Sequence, residues 1–264
     1  MPIAIGGNVI HIDLRDALSH ELLKGSPWAA PPWEQDEQAV MRQVIRPRDV
    51  AIDIGGHFGM HTALMAQLVG VQGVVHVFEI NPRRHDALAY TAAASAGRVV
   101  LHGVGLSDTE ENVTLFVPAE DESMASLRDW TDGRVGGIDQ VRCKVKTLDA
   151  MIAGEGLPLP DFIKCDVEGA ERRVFVGARA VLNRMDAPFI MYEANALSAR
   201  AFGDSVSSAT EWLASLDAPR YRFFHVQPQG TLVPIEPHLH TRDDNFNLLA
   251  VPSGRNRLRA APGM

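Results

Sequence analysis

From about residue 50 onward, short runs of β-branched and apolar residues alternate with longer stretches in which apolar positions recur at helical spacing. That alternation predicts an α/β fold, a parallel sheet with helices on its faces. Val50–Ile54 is a strand ending in Gly55–Gly56, with a helix over Met60–Val69. Val74–Phe78 is a second strand, and Pro82 opens a helix to about Ala96 that Gly97 stops. Val99–Leu106 reads as a third strand, and residues 112–118 and 141–148 alternate as an inserted β-ribbon would. The loop between them is rich in Gly and Asp and holds Met124 and Trp130. Phe162–Val167 is a fourth parallel strand. Val174, Phe175, Ala178 and Val181 then mark one helix over Glu171–Arg184. Pro188–Glu193, a helix over Ser208–Leu216, and a closing pair, Tyr221–Val226 with Phe246–Val251, complete the pattern.

The start of the chain breaks this rhythm. Val9–Leu14 has the character of a small strand and Gln38–Ile45 of a helix, while SPWAAPPWE (26–34) is too rich in Pro to be regular. Residues 1–47 are read as a small N-terminal cap on a domain of residues 48–264.

The 264 residues, 46% of them hydrophobic, suffice for one large core. A net charge of −8 argues against a nucleic-acid partner. The Arg255–Arg257–Arg259 tail is too small to reverse it and reads as a frayed end. No apolar stretch approaches a membrane span, and Met1–Asn8 lacks the marks of a signal peptide. Cys143 and Cys165 have no metal-binding spacing and read as two buried thiols. A cytoplasmic protein is the expectation, and homo-oligomerisation is left open.

The chemistry starts in AIDIGGHFGM (51–60). A strand ending in glycines and followed directly by a helix lets backbone approach a ligand at the helix N-terminus. About 24 residues beyond Gly55, the second strand ends in Phe78–Glu79, where an acid can take both hydroxyls of a ribose. A dinucleotide turn wants G-x-G-x-x-G, yet His57 stands where its second glycine belongs. Asp53 is also ill suited to a pyrophosphate and suits a cation. These residues favour S-adenosylmethionine, which carries an ammonium and a sulfonium, over a nicotinamide cofactor. After the third strand, Ser107 and Asp108 stand either beside the adenine or as a turn cap.

The second informative segment is DFIKCDVEGAE (161–171). Lys164 lies inside an otherwise apolar strand, where charge is costly unless paired. Alternation puts Asp166 and Glu168 on its face as partners, and the fifth strand brings Glu193 and Asn195 to the same edge. Three readings stay open. One of Asp166, Glu168 and Glu193 is a general base; or Asp166 with Glu193 or Asn195 holds Mg²⁺; or Asp166 caps a helix whose dipole Glu171 complements.

In order and spacing, AIDIGGHFGMHT, VFEINP, GLSD, IKCDVEGAE and MYEAN resemble the FkbM-like S-adenosylmethionine-dependent methyltransferases. The resemblance implies a Rossmann-like, seven-stranded class I methyltransferase sheet with a reversed final strand. Members commonly methylate hydroxyls on sugars, polyketides and other secondary metabolites. Carried over by position, Asp53, Gly55, Gly59 and Thr62 line the methionine part of the cofactor, Glu79 binds the ribose, and Ser107 and Asp108 flank the adenine. Gly56, His57, Ile80 and Asp166 complete the expected contacts. The family usually has Asn at the position of His57 and an aromatic at that of His61.

The acceptor signal is weaker. Trp28, Trp33, Met124 and Trp130 suit either an apolar lid or ordinary packing; His238 and His240 form an H-x-H without a third ligand; His225 ends a strand near the site. The expected activity is O-methylation of a small molecule, sugar or secondary metabolite. N-methylation on the same scaffold, a nicotinamide oxidoreductase and a non-catalytic cofactor sensor are the rivals.

Overall fold

The computed structural model describes residues 2–5, 8–11, 32–119, 121–131, 133, 136–238, 245–255 and 257–258. Trp28, the Trp33 side chain, His240 and Arg259 lie outside the described residues.

The central sheet is built from β3 (Val50–Ile54), β4 (Val74–Phe78), β5 (Val99–His102), β9 (Phe162–Cys165), β10 (Phe189–Asn195), β11 (Arg222–Gln227), β12 (Thr231–Ile235) and β13 (Asn245–Val251). Their order is β12-β11-β13-β10-β9-β3-β4-β5. The strands from β10 to β5 run parallel, whereas β13 runs antiparallel to both β10 and β11. The reversed final strand is therefore present. Among the described residues the sheet has eight strands rather than seven, because Gln227 is followed by a tight turn over Pro228–Gly230 that sends β12 back along the edge. Its sequence, TLVPI, contains a proline that only an edge strand tolerates.

Helices cover both faces. On one lie α1 (Pro32–Val44), α2 (Met60–Val69) and α3 (His85–Ala94), with Val40, Met41 and Val44 of α1 packed with Leu64, Val75, Val77 and Phe189. On the other lie α4 (Leu148–Glu155), α5 (Glu171–Val176), α6 (Arg179–Leu182) and α8 (Ser208–Ala214), around Ile52, Ile163, Phe175, Tyr192 and Leu213. The short α7 (Ala196–Ala201) follows β10. Among the described residues no helix is long and apolar enough to cross a membrane.

Several expectations need correction. A helix occupies Pro32–Glu34 despite the prolines, because Pro32 stands in its first turn, where no N–H is needed. The predicted third strand breaks at Gly103–Val104. Its second part becomes β6 (Gly105–Leu106) in a separate sheet with β7 (Glu111–Pro118) and β8 (Ile138–Lys146), whose antiparallel pairing is the expected ribbon. The predicted helix over Glu171–Arg184 is two helices that part at Gly177, which packs so closely that a Cβ would come 1.9 Å from the Ser107 carbonyl oxygen. At the start, β1 (Pro2–Ile5) and β2 (Asn8–His11) form a hairpin. The tail is not frayed over its described part: Arg255 pairs with Asp161, and Arg257 with both Asp49 and Asp161. Cys165 is buried, but Cys143 is only half-buried.

Candidate functional site

At the carboxyl edge of β3, β4 and β9, a cavity of about 650 Å³ opens toward solvent. Ile54, Gly55, His57, Glu79, Ile80, Asp166 and Glu168 line it from the sheet side. Glu122, Ser123, Ala125, Ser126 and Leu127 line it from the loop between β7 and β8, and Arg84 closes one end.

The glycine turn is built around buried acids. Gly55 has φ 84°, and a Cβ there would fall 1.8 Å from the Asp166 carbonyl oxygen, so only glycine lets the two turns meet. His57 is held at φ 51° by donating its N–H to Glu79 Oε2 (2.8 Å). Asn81 donates to Glu79 Oε1 (2.7 Å). Burial pushes the Glu79 carboxyl up to about 7, against the pull of those two N–H groups and Arg84. Each oxygen accepts one backbone bond and keeps lone-pair capacity for a ligand.

Asp53 and Thr62 sit beneath the turn rather than in the cavity wall. Thr62 Oγ1 donates to Asp53 Oδ2 (2.5 Å), and the buried Asp53 Oδ1 has no hydrogen-bond partner among the described residues. An unpaired carboxylate oxygen at the cofactor turn fits a cationic group better than a phosphate. Gly56 and Gly59 face away from the cavity, against Val77 and against Leu88 and Thr91. His61 leaves the turn to pair with Glu37 of α1 (3.1 Å), and Asn247 donates to the same carboxylate. The N-terminal helix is thereby tied to the helix that starts at the turn.

The second turn carries the other acids. Lys164 pairs with Asp166 Oδ2 (2.9 Å), one of the two expected partners, and its neighbour in register on β3 is Asp53. Glu168 is held at φ 53°, a left-handed conformation that costs about 1–2 kcal/mol for a residue with a side chain. Ser126 Oγ holds its carbonyl (2.7 Å), while Glu171 Oε1 accepts from Val167 and Gly169 N–H. Ligand atoms of Asp166, Glu168 and Glu193 all lie within 4.8 Å of one another. At that spacing two ionised carboxylates repel by roughly 3 kcal/mol at an effective dielectric constant of 20. Burial, and then the neighbouring acids, hold the Glu168 and Glu193 carboxyls well above the ordinary range. The cluster therefore retains protons where isolated glutamates would not.

Other expected site residues also stand outside the cavity wall. Ser107 and Asp108 do not line the cavity, because Ser107 follows β6 into the second sheet. Its N–H bonds Lys146 and its Oγ bonds Asp108, which faces Arg173 at 3.4 Å. Asn195 does not join the acids: its Oδ1 caps α7 by accepting from Leu197 and Ser198, and Glu168 takes the third place in the cluster. His238 pairs with Glu211, His225 packs on Phe246 and bonds Gln227, and Met124 and Trp130 are half-buried outside the cavity wall.

Arg84 and Glu122 line the cavity without having been expected there. Arg84 is 2% exposed and pairs with Glu122 (3.0 Å), while Arg83 meets Glu122 and Asp139. A basic pair directly after VFEINP, facing an acidic loop, was the available signal.

Residues 53–224, about two thirds of the chain, match the family model described as the methyltransferase FkbM domain. Hexuronic acid methyltransferase AglP of Haloferax volcanii is 26% identical over 165 residues, 62% of this chain and 63% of that protein. AMB antimetabolite synthetase AmbE of Pseudomonas aeruginosa is 25% identical, over 51% of this chain and 8% of its own length. The matched segment is thus under two thirds of either relative. Among solved structures, methyltransferase FkbM from Methylobacillus flagellatus aligns with a TM-score of 0.48 at 17% identity, over 90% of this chain and 62% of that one. The O-methyltransferase TomG from Streptomyces achromogenes gives 0.48 at 13% identity, over 92% of each chain. With a glycine turn, an acid ending β4 and an acid-rich turn after β9 inside the matched span, this chain belongs to the FkbM methyltransferase domain family.

Proposed function

We propose that the chain transfers a methyl group from S-adenosylmethionine to a hydroxyl of a small-molecule or sugar acceptor, with Glu168 taking the hydroxyl proton. The carrying observation is one cavity lined both by the glycine turn with Glu79 and by Asp166 with Glu168. The lining suits the cofactor: Glu79 for the ribose hydroxyls and Ile80 with the Arg84–Glu122 pair at the adenine end, with the negative charge of Asp53 beneath the turn favouring a cationic group above it. S-adenosylmethionine, when bound, supplies a methyl group on a positively charged sulfur.

The protein's own residues align the acceptor, exclude water and accept a proton. Lys164 neutralises Asp166, which leaves Glu168 as the cavity-lining acid of this turn, its proton affinity raised by burial and by its neighbours, while Glu79 is occupied at the glycine turn. Glu193, close behind, can share the proton it receives. Lys164 already contacts Asp166 Oδ2, and that supports a proton-holding rather than a Mg²⁺-holding cluster. The naming of one relative as a hexuronic acid methyltransferase makes sugar acids the first acceptors to assay.

The test is calorimetric titration of the full chain with adenosylhomocysteine, with NADH in parallel. Micromolar binding of adenosylhomocysteine with no NADH signal is expected. Binding of NADH alone would overturn the reading.

A further inference from the structure

We propose that a second cavity, on the outer side of the loop carrying Ser126–Arg128, receives an anionic group of the acceptor, a carboxylate or a phosphate. This deepens the methyl-transfer reading and rests on it for the acceptor's reacting hydroxyl. The cavity holds about 850 Å³ of open space, walled by Arg128, Arg173, Phe202, Asp108, Asn112 and Thr114 among others.

Its distinguishing feature is a pair of cations on one ring. Arg128 Cζ lies 6.0 Å from the Phe202 ring centroid and Arg173 Cζ 5.7 Å. A ring that orients two guanidinium groups reduces the rotamer entropy each would lose on gripping a ligand. Arg173 touches Asp108 only through Nη1, at 3.4 Å or more. The Arg128 guanidinium has no ion pair or hydrogen bond among the described residues. Each guanidinium offers five N–H donors in a planar fork that matches the oxygens of a carboxylate or phosphate. Two acids share the wall: Asp108 engages one Arg173 nitrogen and Glu111 accepts from Thr109 Oγ1 (2.8 Å), so it is the Arg128 fork that stays open to a ligand.

Position links this cavity to the first. Leu127 lines both, and Ser126 Oγ holds the Glu168 carbonyl. Arg128 is two residues beyond Ser126, a backbone span of at most about 7 Å. An acceptor whose hydroxyl sits at Glu168 and whose body passes Leu127 would bring its acid group to Arg128.

The test uses the full chain saturated with adenosylhomocysteine and titrated with D-glucuronate, D-glucose 6-phosphate and neutral D-glucose, followed by saturation-transfer NMR. At least one of the two anions is expected to bind ten-fold or more tightly than glucose, and whichever prevails assigns the carboxylate or phosphate source. Arg128→Met, at an exposed side chain, should lower that affinity at least ten-fold with adenosylhomocysteine binding unchanged; Arg173→Met should do the same. The proposal is overturned if neither anion binds, if glucose binds equally, or if both variants keep full affinity for the anion. Repeating the titration without adenosylhomocysteine separates the two ideas, because failure of that compound to bind counts against the methyl-transfer reading alone.

Discussion

Replacing Glu171 with Gln should make the protein more stable at alkaline pH, although it removes a buried group with two hydrogen bonds. Burial pushes the Glu171 carboxyl from its ordinary 4.5 up to about 7, and the N–H groups of Val167 and Gly169 only partly offset this. A carboxyl whose folded value is raised favours the folded state below the unfolded value. That contribution is lost as pH rises through the window from about 4.5 to 7. At roughly 1.4 kcal/mol per pH unit, the ionised group costs the folded chain about 3 kcal/mol at pH 8. Glutamine keeps an acceptor for both N–H groups without ever ionising, and its new N–H₂ costs about 1–3 kcal/mol where it is left unpaired. Urea unfolding of the two proteins should therefore show the stability of Glu171→Gln relative to the parent rising by about 3 kcal/mol from pH 4.5 to pH 8, to a net gain of up to about 2 kcal/mol at pH 8. A difference independent of pH, or a variant less stable at pH 8, would refute the assignment of a destabilising buried charge at this turn.

Other consequences can be tested together. Glu79→Ala should weaken adenosylhomocysteine binding by about 1.5–3 kcal/mol in calorimetry, whereas Asp108→Ala, outside the cavity, should leave that affinity intact; equal losses would restore Asp108 to the cofactor site. Glu168→Gln should lower turnover by about 10²–10⁴-fold while cofactor affinity is kept. It should also remove the limb of the pH–rate profile that rises as the raised Glu168 carboxyl ionises, and an unchanged profile would move the base elsewhere. Dialysis against EDTA should leave turnover unaltered, and activity lost in EDTA and regained with Mg²⁺ would assign the three carboxylates to a metal.

The parts of the fold set by local pattern were legible in the sequence. Val50–Ile54, Met60–Val69 and Val74–Phe78 match their predicted bounds, because each is an apolar run closed by glycine or a polar residue. Tertiary contacts decided the rest. Nothing local shows that Gly177 must part a helix, since what parts it is the Ser107 carbonyl arriving from the second sheet. The site follows the same division. The acids that share a strand end with a glycine turn could be placed by register alone, so Glu79, Asp166 and Glu168 were found at the cavity. Arg84 and Glu122 are brought together across 38 positions of chain by a loop whose path no periodicity encodes.

The 1.8 Å that separates a hypothetical Gly55 Cβ from the Asp166 carbonyl has a bearing on how variants of this protein should be interpreted. The turn that would hold the cofactor and the turn that presents the acids meet backbone to backbone, with Asp166 donating its N–H to the Ile54 carbonyl (3.0 Å), so neither can shift alone. A substitution at Gly55 should alter saturation by cofactor and maximal velocity in a single step. Kinetic losses at that position cannot be divided into a binding share and a chemical share. Recombination between relatives should likewise succeed only when the segments around residues 53–59 and 164–169 are exchanged as one block.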